Sequence, residues 1–416
     1  MKKILVLLLA LAMVLGLVAC GGNSSSSQPG SDSSTPGSSD SSNNAPSNTD
    51  ETEGEGGTIM FLSVSSSGPT YDATVAFLEG MGDALGYDIK VVYGDPFNDP
   101  DGNLTAVKNG MTDDVVALIT MQDGGIQNIM DEYPDLYVVG YNNALNSVYG
   151  EGGASAAVTT YDHFLGGVAG DLLDPGACGK AFAEKVIENG YRKVSLMAFP
   201  EYAYPEMADR DAAFRATIEE YNASASEADQ IEIVGDTHVL EFAPLEDSYF
   251  MESDHADLDC IVAFCDPSFV YGTMISARDQ GLIDGSTKLF GVGFDALADT
   301  NYQADIGGDG TVQMIYGSSP EGLAYCVAMI DNAVNGQSYS DYEGAELVDA
   351  TLYIVDSTED IENLLTKTML GVPDFANSGV TVEQLQNVLL RYNADATYAD
   401  LTALMTSDDV TLDRFN

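Results

Sequence analysis

Short runs of aliphatic residues alternate along this chain with longer segments in which apolar residues recur at helical spacing. In residues 71–85, for example, Val75, Leu78 and Met81 would line one side of a helix that ends at Gly86. Strands that are apolar on both faces and are separated by amphipathic helices are typical of a parallel sheet with helices on both sides. The fold class is therefore predicted to be α/β. The strands predicted in this first set are residues 59–63, 89–93, 115–120 and 137–141.

The same alternation starts again after residue 160, which predicts a second unit of the same kind. Two such sets imply two doubly wound parallel-sheet lobes joined by a multi-stranded hinge, with a cleft between the carboxyl ends of their strands. The helices expected in the second set are residues 166–189, 207–221 and 268–280, and the strands are residues 193–198, 231–240, 259–264 and 289–293.

The expected domain boundaries follow from these two sets. Lobe one is residues 58–160 and is completed by about residues 311–340, because the later segments are too few for a third lobe. Lobe two is residues 161–310 and is completed by about residues 345–358. Residues 359–416 are expected to form a C-terminal helical extension, which either packs on the lobes or offers a docking surface to a partner.

The N-terminus has the composition of an export signal. Lys2 and Lys3 precede an apolar run at residues 4–18, which is too short for a stable membrane span and closes at Cys20. The stretch resembles the lipobox of bacterial lipoproteins, so residues 1–20 are predicted to be the signal and Cys20 the lipid attachment site; the alternative is an ordinary secretory signal that happens to end in cysteine. The location implied is the extracytoplasmic face of the cell membrane.

Residues 21–57 contain no aromatic or large aliphatic side chain, so they cannot bury enough surface to offset the entropy of ordering. They are predicted to be a disordered tether between the lipid anchor and the folded body.

The charge balance excludes several classes of partner. The chain has 66 acidic and 15 basic residues, a formal net charge of −51. Such a surface repels nucleic acid, so none is expected as a partner.

Neither CxxC nor HExxH occurs, so no metal site and no cofactor are predicted. Cys260 and Cys265 lie five residues apart in one predicted strand and should not pair with each other, while pairing that involves Cys178 or Cys326 stays open.

Several short segments, in a particular order, suggest a family. They are Ser67-Gly68-Pro69-Thr70-Tyr71, Ala84-Leu85-Gly86-Tyr87, Asp162-His163-Phe164-Leu165-Gly166-Gly167, Ala208-Asp209-Arg210-Asp211-Ala212-Ala213-Phe214, Ala263-Phe264-Cys265-Asp266 and Val292-Gly293-Phe294-Asp295. With these segments, residues 58–356 resemble the type I periplasmic (solute) binding proteins of the ribose- and galactose-binding kind, whose fold is shared with LacI-type regulators. A regulator of that kind would carry a helix-turn-helix where this chain has its export signal.

The resemblance implies a lipid-anchored, monomeric protein that captures a small neutral ligand, most simply a monosaccharide, and presents it to an ABC permease without transforming it. A neutral polyol needs carboxylates, amides and an Arg side chain for its hydroxyls, and aromatic rings for its C–H faces. Alanine at Arg210 or at Asp295 is expected to abolish binding and to leave the fold intact.

The resemblance also places the candidate ligand-binding residues. It puts Arg210 at the cleft's arginine, Asp295 at a carboxylate after a strand, Tyr71 at an aromatic position and Asn142 where an Asp is common. Cys265 replaces a frequent ligand-binding Asn, which leaves Asp266 as the nearby polar candidate. Gln313 matches a hinge Gln in one alignment, while another alignment brings Tyr316 there. The remaining candidates are Asp123, which a simple turn explains equally well, and Phe242, with Tyr202 and Tyr204 as other aromatic residues of lobe two.

Other functions remain open from the sequence. Tyr133-Pro134-Asp135-Leu136 is reminiscent of nucleoside-binding lipoproteins. A ligand sensor for a chemoreceptor or kinase would use the same closure of two lobes. An extracellular hydrolase is disfavoured, since neither G-x-S-x-G nor HExxH occurs.

Overall fold

The structure is a computed structural model, and it describes residues 56–95, 98–149, 161–350 and 352–415. The predicted signal, Cys20 and residues 21–55 of the predicted tether lie outside these ranges. Among the residues described, no helix is long and apolar enough to cross a membrane.

The described strands form two sheets. Their bounds are β1 Thr58–Ser63, β2 Asp88–Tyr93, β3 Val115–Thr120, β4 Tyr137–Tyr141, β5 Phe164–Val168, β6 Lys193–Ala198, β7 Glu232–Ile233, β8 His238–Val239, β9 Cys260–Ala263, β10 Lys288–Val292, β11 Val312–Ser318, β12 Leu347–Val348 and β13 Leu352–Val355.

Helices lie between the strands and after the last of them. Their bounds are α1 Pro69–Leu85, α2 Pro100–Gly110, α3 Ile126–Glu132, α4 Asn146–Tyr149, α5 Pro175–Asn189, α6 Glu206–Ser224, α7 Ser268–Asp279, α8 Thr300–Ala304, α9 Leu323–Val334, α10 Thr358–Lys367, α11 Val382–Val388 and α12 Tyr398–Met405.

The first sheet has the strand order β12-β5-β4-β3-β1-β2, and all its pairs are parallel. Strand β1, which lies between β3 and the edge strand β2, is buried along its whole length. Because side chains alternate across a strand, Ile59 and Phe61 fill the core on one face while Met60 and Leu62 fill the core on the other. This confirms the α/β class predicted from the continuous apolar runs.

The second sheet has the order β13-β11-β10-β9-β6-β7, with β8 also paired to β6. All its pairs are parallel except that of β13, which runs antiparallel to β11. Phe182 of α5 packs edge-on against Phe290 of β10, with ring centres 5.8 Å apart, so α5 belongs with this sheet. We call each sheet with its helices a lobe.

The chain passes from one sheet to the other at three places among the described residues. Residues 169–174 lead from β5 to α5, and residues 319–322 lead from β11 to α9, whose Cys326 Sγ lies 3.5 Å from the carbonyl oxygen of Gly140 in β4. The third passage joins β12 to β13. We call these three connections the hinge.

The boundary expected between the lobes was misplaced at residue 161. We predicted a helix from residue 166, but Phe164–Val168 is a strand of the first sheet, and the helix begins at Pro175. Gly166 has a φ of +81°, and a Cβ there would lie 2.2 Å from the carbonyl oxygen of Glu346, so only glycine allows this close approach. Gly166 and Gly167, placed at the start of the predicted helix, belong to the sheet instead.

Two other expected segments are divided differently. Val312–Ser318, expected to help complete lobe one, pairs with β10 in the second sheet, and only the helix that follows it packs on the first. Of residues 345–358, β12 belongs to the first sheet and β13 to the second. The single strand predicted at residues 231–240 is two short strands separated by a turn, in which Gly235 has a φ of +68°.

Candidate functional site

The carboxyl ends of the parallel strands and the hinge together define the candidate site. Arg210 of α6 lies beside the hinge and is 3 % exposed. Its Nη2 lies 2.6 Å from Oδ2 of Asp171, and its Nη1 donates to the carbonyl oxygen of Phe264 at 2.7 Å. Its Nε is buried without a hydrogen-bond partner. The predicted cleft arginine is therefore a buried group that ties lobe two to the first hinge connection.

Asp171 and Ser318 were missed by the sequence analysis. The Oγ of Ser318, the last residue of β11, donates to Oδ1 of Asp171 at 2.8 Å, and the same Oγ accepts from the backbone N–H of Asp171 at 3.1 Å. Two hinge connections and α6 therefore meet at one carboxylate. Ser318 lies two residues before Pro320, at the end of the apolar run that forms β11. A polar residue at that point is the signal that could have identified it.

Asp295 spans the gap between the lobes. It follows β10 of lobe two, and its Oδ1 accepts from the backbone N–H of Thr70, in the first turn of α1, at 3.3 Å. A carboxylate is favoured there because the first N–H groups of a helix have no partner inside the helix and carry partial positive charge. Gly68 has a φ of +111°, and a Cβ on it would lie 3.1 Å from this Oδ1, so glycine makes room for the contact.

Asp266 lies directly beside Asp295. Its Oδ2 accepts from the backbone N–H of Asp295 at 3.0 Å, and its Oδ1 accepts from that of Ser268 at 2.8 Å. Burial, with a smaller contribution from the negative charge of Asp295, raises the pKa of Asp266 to about 6, although its hydrogen bonds from Ser268 and from the Asp295 N–H oppose this rise. The structure therefore brings these two predicted residues together at the carboxyl ends of β9 and β10.

An aromatic cluster stands at the carboxyl ends of β6 and β8. Phe242 has a φ of +54°, and its ring centre lies 5.3 Å from that of Phe199 and 6.1 Å from that of Tyr204. Tyr202 packs edge-on against Phe242 at 6.4 Å and is largely exposed. A cavity of about 360 Å³ opens beside the cluster, lined in part by Phe199, Tyr202 and Met207.

The pKa of Glu206, at the start of α6, depends on charged groups of the hinge and of both lobes. Burial raises the pKa of its carboxyl, and the carboxylates of Asp171 and Asp123 raise it further, while Arg210 lowers it. Since Asp123 follows β3 of lobe one, the charge of a lobe-one carboxylate acts on Glu206 of lobe two.

The candidates from lobe one have local partners. Tyr71 is partly buried, and its hydroxyl lies 3.1 Å from that of Tyr93; this hydrogen bond and burial raise the pKa of Tyr71 to about 12. Both carboxylate oxygens of Asp123 accept hydrogen bonds within lobe one, from Asn98 and from the backbone N–H of Ser147. Asp123 therefore holds the loop after β4 in place.

Asn142 stands at the end of β4 with a φ of +48°, and its backbone N–H donates to the carbonyl oxygen of Val168 at 2.8 Å. Its Oδ1 is buried and has no hydrogen-bond partner. It lies close to Gly170 in the first hinge connection, where a Cβ would be 3.1 Å away. This acceptor beside the hinge is therefore buried and unpaired, which costs free energy unless a donor reaches it.

Gln313 is not at the hinge, and placing it there was wrong. It lies at the amino end of β11, where its Nε2 donates to the carbonyl oxygen of Gly310 at 2.7 Å and its Oε1 accepts from the hydroxyl of Tyr191 at 3.3 Å. The apolar run around it fits several registers, so sequence alone could not fix which residue of β11 reaches the hinge. That residue is Ser318.

The residues described contain no group of three or more His, Cys, Asp or Glu side chains arranged to hold a metal ion. The carboxylates named above are engaged with backbone N–H groups, Arg210 or hydroxyl and amide groups instead.

Comparison with known proteins gives structural neighbours only. No protein-family model matches the chain, and no curated protein matches its sequence. A solute-binding protein of an ABC transporter from Actinobacillus succinogenes, with bound D-allose, is similar in structure with a TM-score of 0.55 and 15 % identity over 74 % of this chain and 99 % of its own.

Two further structures are similar to the same extent. The binding component of the arabinose ABC transporter from Shewanella has a TM-score of 0.53 and 16 % identity, covering 74 % of this chain and 92 % of its own. A glucose-galactose binding protein from Geobacillus stearothermophilus has a TM-score of 0.52 and 14 % identity, covering 73 % and 98 %.

This chain has the type I periplasmic binding protein fold. The two-lobe architecture predicted from the sequence is thereby confirmed. The structural match extends over almost the whole length of these neighbours, whereas about a quarter of this chain has no counterpart in them.

Proposed function

We propose that the protein is an extracytoplasmic solute-binding protein that captures a small neutral ligand, a monosaccharide, by closing its two lobes and does not transform it. The observation that carries the proposal is the contact between Asp295 of lobe two and the Thr70 N–H of lobe one. The two lobes touch at this contact, so a small molecule bound beside it would reach both of them. Closure around a ligand that contacts both lobes is the motion such a hinge permits.

The groups around the gap suit a polyol. Asp266 and Asp295 can accept hydrogen bonds from hydroxyls, and the unpaired Oδ1 of Asn142 offers a further acceptor in lobe one. The rings of Phe199, Tyr204 and Phe242 provide apolar faces for sugar C–H groups. The neighbours with this fold include proteins described with allose, arabinose and glucose or galactose, which supports the same ligand class here.

A ligand screen tests the proposal. The full chain would be mixed with pentoses, hexoses, nucleosides and amino acids, and thermal unfolding would be followed for each. A ligand at a hundredfold excess over its dissociation constant stabilises the folded form by about 2.7 kcal/mol. Stabilisation by a monosaccharide, with calorimetry giving one site per chain, is the expected result. Stabilisation by amino acids only, or by nothing in the panel, would refute the assignment.

Two matched variants locate the site. Asp295→Asn removes the charge that contacts Thr70 across the gap, whereas Asp309→Asn removes an exposed charge at the amino end of β11. Sugar affinity should fall in the first variant and stay unchanged in the second. Equal affinities in both would place the ligand elsewhere.

The importer and the membrane anchor are further parts of the proposal. Cys20 would carry the lipid, and an ABC permease would receive the sugar from the closed form. Radiolabelled fatty acid should label the wild-type chain in its host and not a Cys20→Ser variant. Uptake of the identified sugar should fall when the gene is deleted; unchanged uptake together with loss of chemotaxis toward that sugar would favour the sensor function. A chromogenic glycoside panel should show no turnover.

A further inference from the structure

The C-terminal segment begins on lobe two. Asp356, just before α10, pairs with Lys185 of α5 at 3.1 Å. Gly307, in the turn before β11, packs against the same region: a Cβ on it would lie 2.9 Å from the backbone N of Thr358. The first residues of the segment are therefore fixed to the helices and turns of the second sheet.

The same segment then crosses to lobe one. The ring of Phe375 packs edge-on against that of Phe77 in α1, with centres 5.8 Å apart. Further along, the backbone N–H of Leu390 donates to Oδ1 of Asn332 in α9 at 2.9 Å, and the hydroxyls of Tyr398 and Tyr325 lie 3.0 Å apart. Residues 358–415 thus connect the two lobes a fourth time, outside the three hinge connections.

The end of the segment returns to the hinge itself. Nη2 of Arg414 lies 3.5 Å from Oε1 of Glu321, in the connection between β11 and α9, and its guanidinium stands 5.7 Å from the ring centre of Tyr353 in β13. The same Oε1 accepts from the hydroxyl of Tyr353 at 2.8 Å and from the backbone N–H of Gly379 at 2.9 Å. One carboxylate oxygen therefore gathers donors from β13, next to another hinge connection, and from two parts of the C-terminal segment.

Glu321 needs these donors. It is 1 % exposed, and its other oxygen, Oε2, is buried without a hydrogen-bond partner. A buried carboxylate that loses its cation is strongly destabilised, so the arrangement that keeps all three donors together is favoured over any that separates them. Rotation of one lobe against the other changes the backbone of the hinge connections, in which Glu321 lies.

We propose that residues 358–415 form a brace across the hinge, and that Arg414 is a positioning residue that holds the lobes in the arrangement in which Asp295 meets Thr70. The brace acts on the equilibrium between open and closed lobes in the absence of any ligand. This inference concerns the motion of the two lobes and holds whichever small molecule they bind.

A matched pair of arginine variants tests the brace. Arg414→Gln removes the cation at the hinge. Arg391→Gln removes a cation from the same segment that pairs with Asp331 of α9 at 2.9 Å, inside lobe one. The two arginines are similarly buried, 12 % and 15 % exposed, and their partners are 1 % and 0 % exposed. Both variants should lower the melting temperature, but only the first removes a hinge contact.

The readout is the distance between the lobes. Spin labels would be attached through D101C and E201C in the full chain carrying Cys20→Ser. Asp101 is exposed in the first turn of α2 in lobe one, and Glu201 is exposed three residues after β6 in lobe two. Without ligand, the distance distribution of Arg414→Gln should shift to longer distances relative to the parent, and Arg391→Gln should match the parent. Tyr353→Phe, which removes a second donor to Glu321, should shift it in the same direction and decides the matter if Arg414→Gln does not fold.

Two results would overturn the brace. One is a parental distance distribution in Arg414→Gln and Tyr353→Phe. The other is an equal shift in Arg391→Gln, which would mean that any loss of C-terminal packing opens the lobes. Because no ligand is added, neither result depends on whether the protein binds a sugar.

Discussion

Arg210 and Asp171 form a buried ion pair, 2.6 Å between Nη2 and Oδ2, that joins α6 to the first hinge connection. The hydroxyl of Ser318 also donates to Asp171, and the carbonyl oxygen of Phe264 accepts from Arg210. These four residues therefore form one hydrogen-bonded group beside the hinge. The family resemblance predicts a ligand contact for Arg210. The structure gives it a structural role at the same place.

This burial changes the expected effect of mutating Arg210. From the sequence, the fold is expected to survive the replacement of Arg210. In the structure, however, Arg210→Met would leave Asp171 buried without its cation, which lowers the free energy of unfolding by about 3–5 kcal/mol. Urea unfolding measures this. Arg215→Met, on the same helix, breaks the half-exposed pair with Asp211 and should cost less than about 1 kcal/mol. A loss no larger in Arg210→Met than in Arg215→Met would contradict the ion pair; the double variant Arg210→Met with Asp171→Leu should recover most of the stability.

Gly68 should tolerate no side chain. Its φ of +111° and ψ of +163° are open to glycine alone, so Gly68→Ala is expected to cost on the order of 1–3 kcal/mol and to push Asp295 away from Thr70. Lower thermal stability and weaker sugar binding should therefore appear together. Gly272→Ala is the control, since it lies inside α7 with nothing within 4 Å of the added carbon; it should raise stability by about 0.5–1 kcal/mol. Unimpaired Gly68→Ala would show that the contact is dispensable.

The titration of Asp266 makes the free energy of unfolding depend on pH. Its pKa is raised from 3.8 to about 6, so the folded state holds the proton more tightly than the unfolded state does. The stability contributed by this group is therefore present below pH 3.8 and is lost as the pH rises to about 6, by on the order of 2–3 kcal/mol. Asp266→Asn removes the titration, so its free energy of unfolding should rise relative to that of the wild type between pH 4 and pH 7. Urea titrations at pH 4, 5, 6 and 7 would show this, and a difference that does not vary with pH would contradict it.

The four cysteines of the folded body should be unreactive. Cys178, Cys260, Cys265 and Cys326 are free and buried, and burial raises the pKa of Cys178 and of Cys265 to about 12. Since the thiolate is the reacting species, Ellman's reagent should modify none of them in the native Cys20→Ser chain and all four after unfolding in guanidinium. Rapid reaction of a native thiol would mean that part of the core opens easily.

Much of the fold could be predicted because it depends on local patterns. The apolar runs of β1, β3 and β9 are buried on both faces, and such runs have no other stable place than the middle of a covered sheet. Several of the errors fall where the chain changes lobe. Gly166 and Gly167 suggest a loop or a helix start by themselves, and pairing with β4 and β12, with the close approach of Glu346, makes them part of a strand.

The site was predicted less completely, for a related reason. Asp266 and Asp295 follow neighbouring strands, so the carboxyl-end rule alone brings them together. Asp171 and Ser318 are 147 residues apart, and their contact exists only because two hinge connections run side by side. Gln313 was predicted at the hinge, but it lies five residues before Ser318, the residue of β11 that reaches the hinge. The sequence of an apolar strand does not show its register, so this error could not be avoided.

The return of the chain to the hinge has a practical consequence for anyone producing this protein. A purification tag fused after Asn416 would start three positions beyond Arg414, whose guanidinium pairs with the carboxylate of Glu321. Ligand affinities measured on such a fusion would then reflect the tag as well as the protein. Tags are better placed before residue 56, and titrations on C-terminally tagged material should be repeated after the tag has been cleaved.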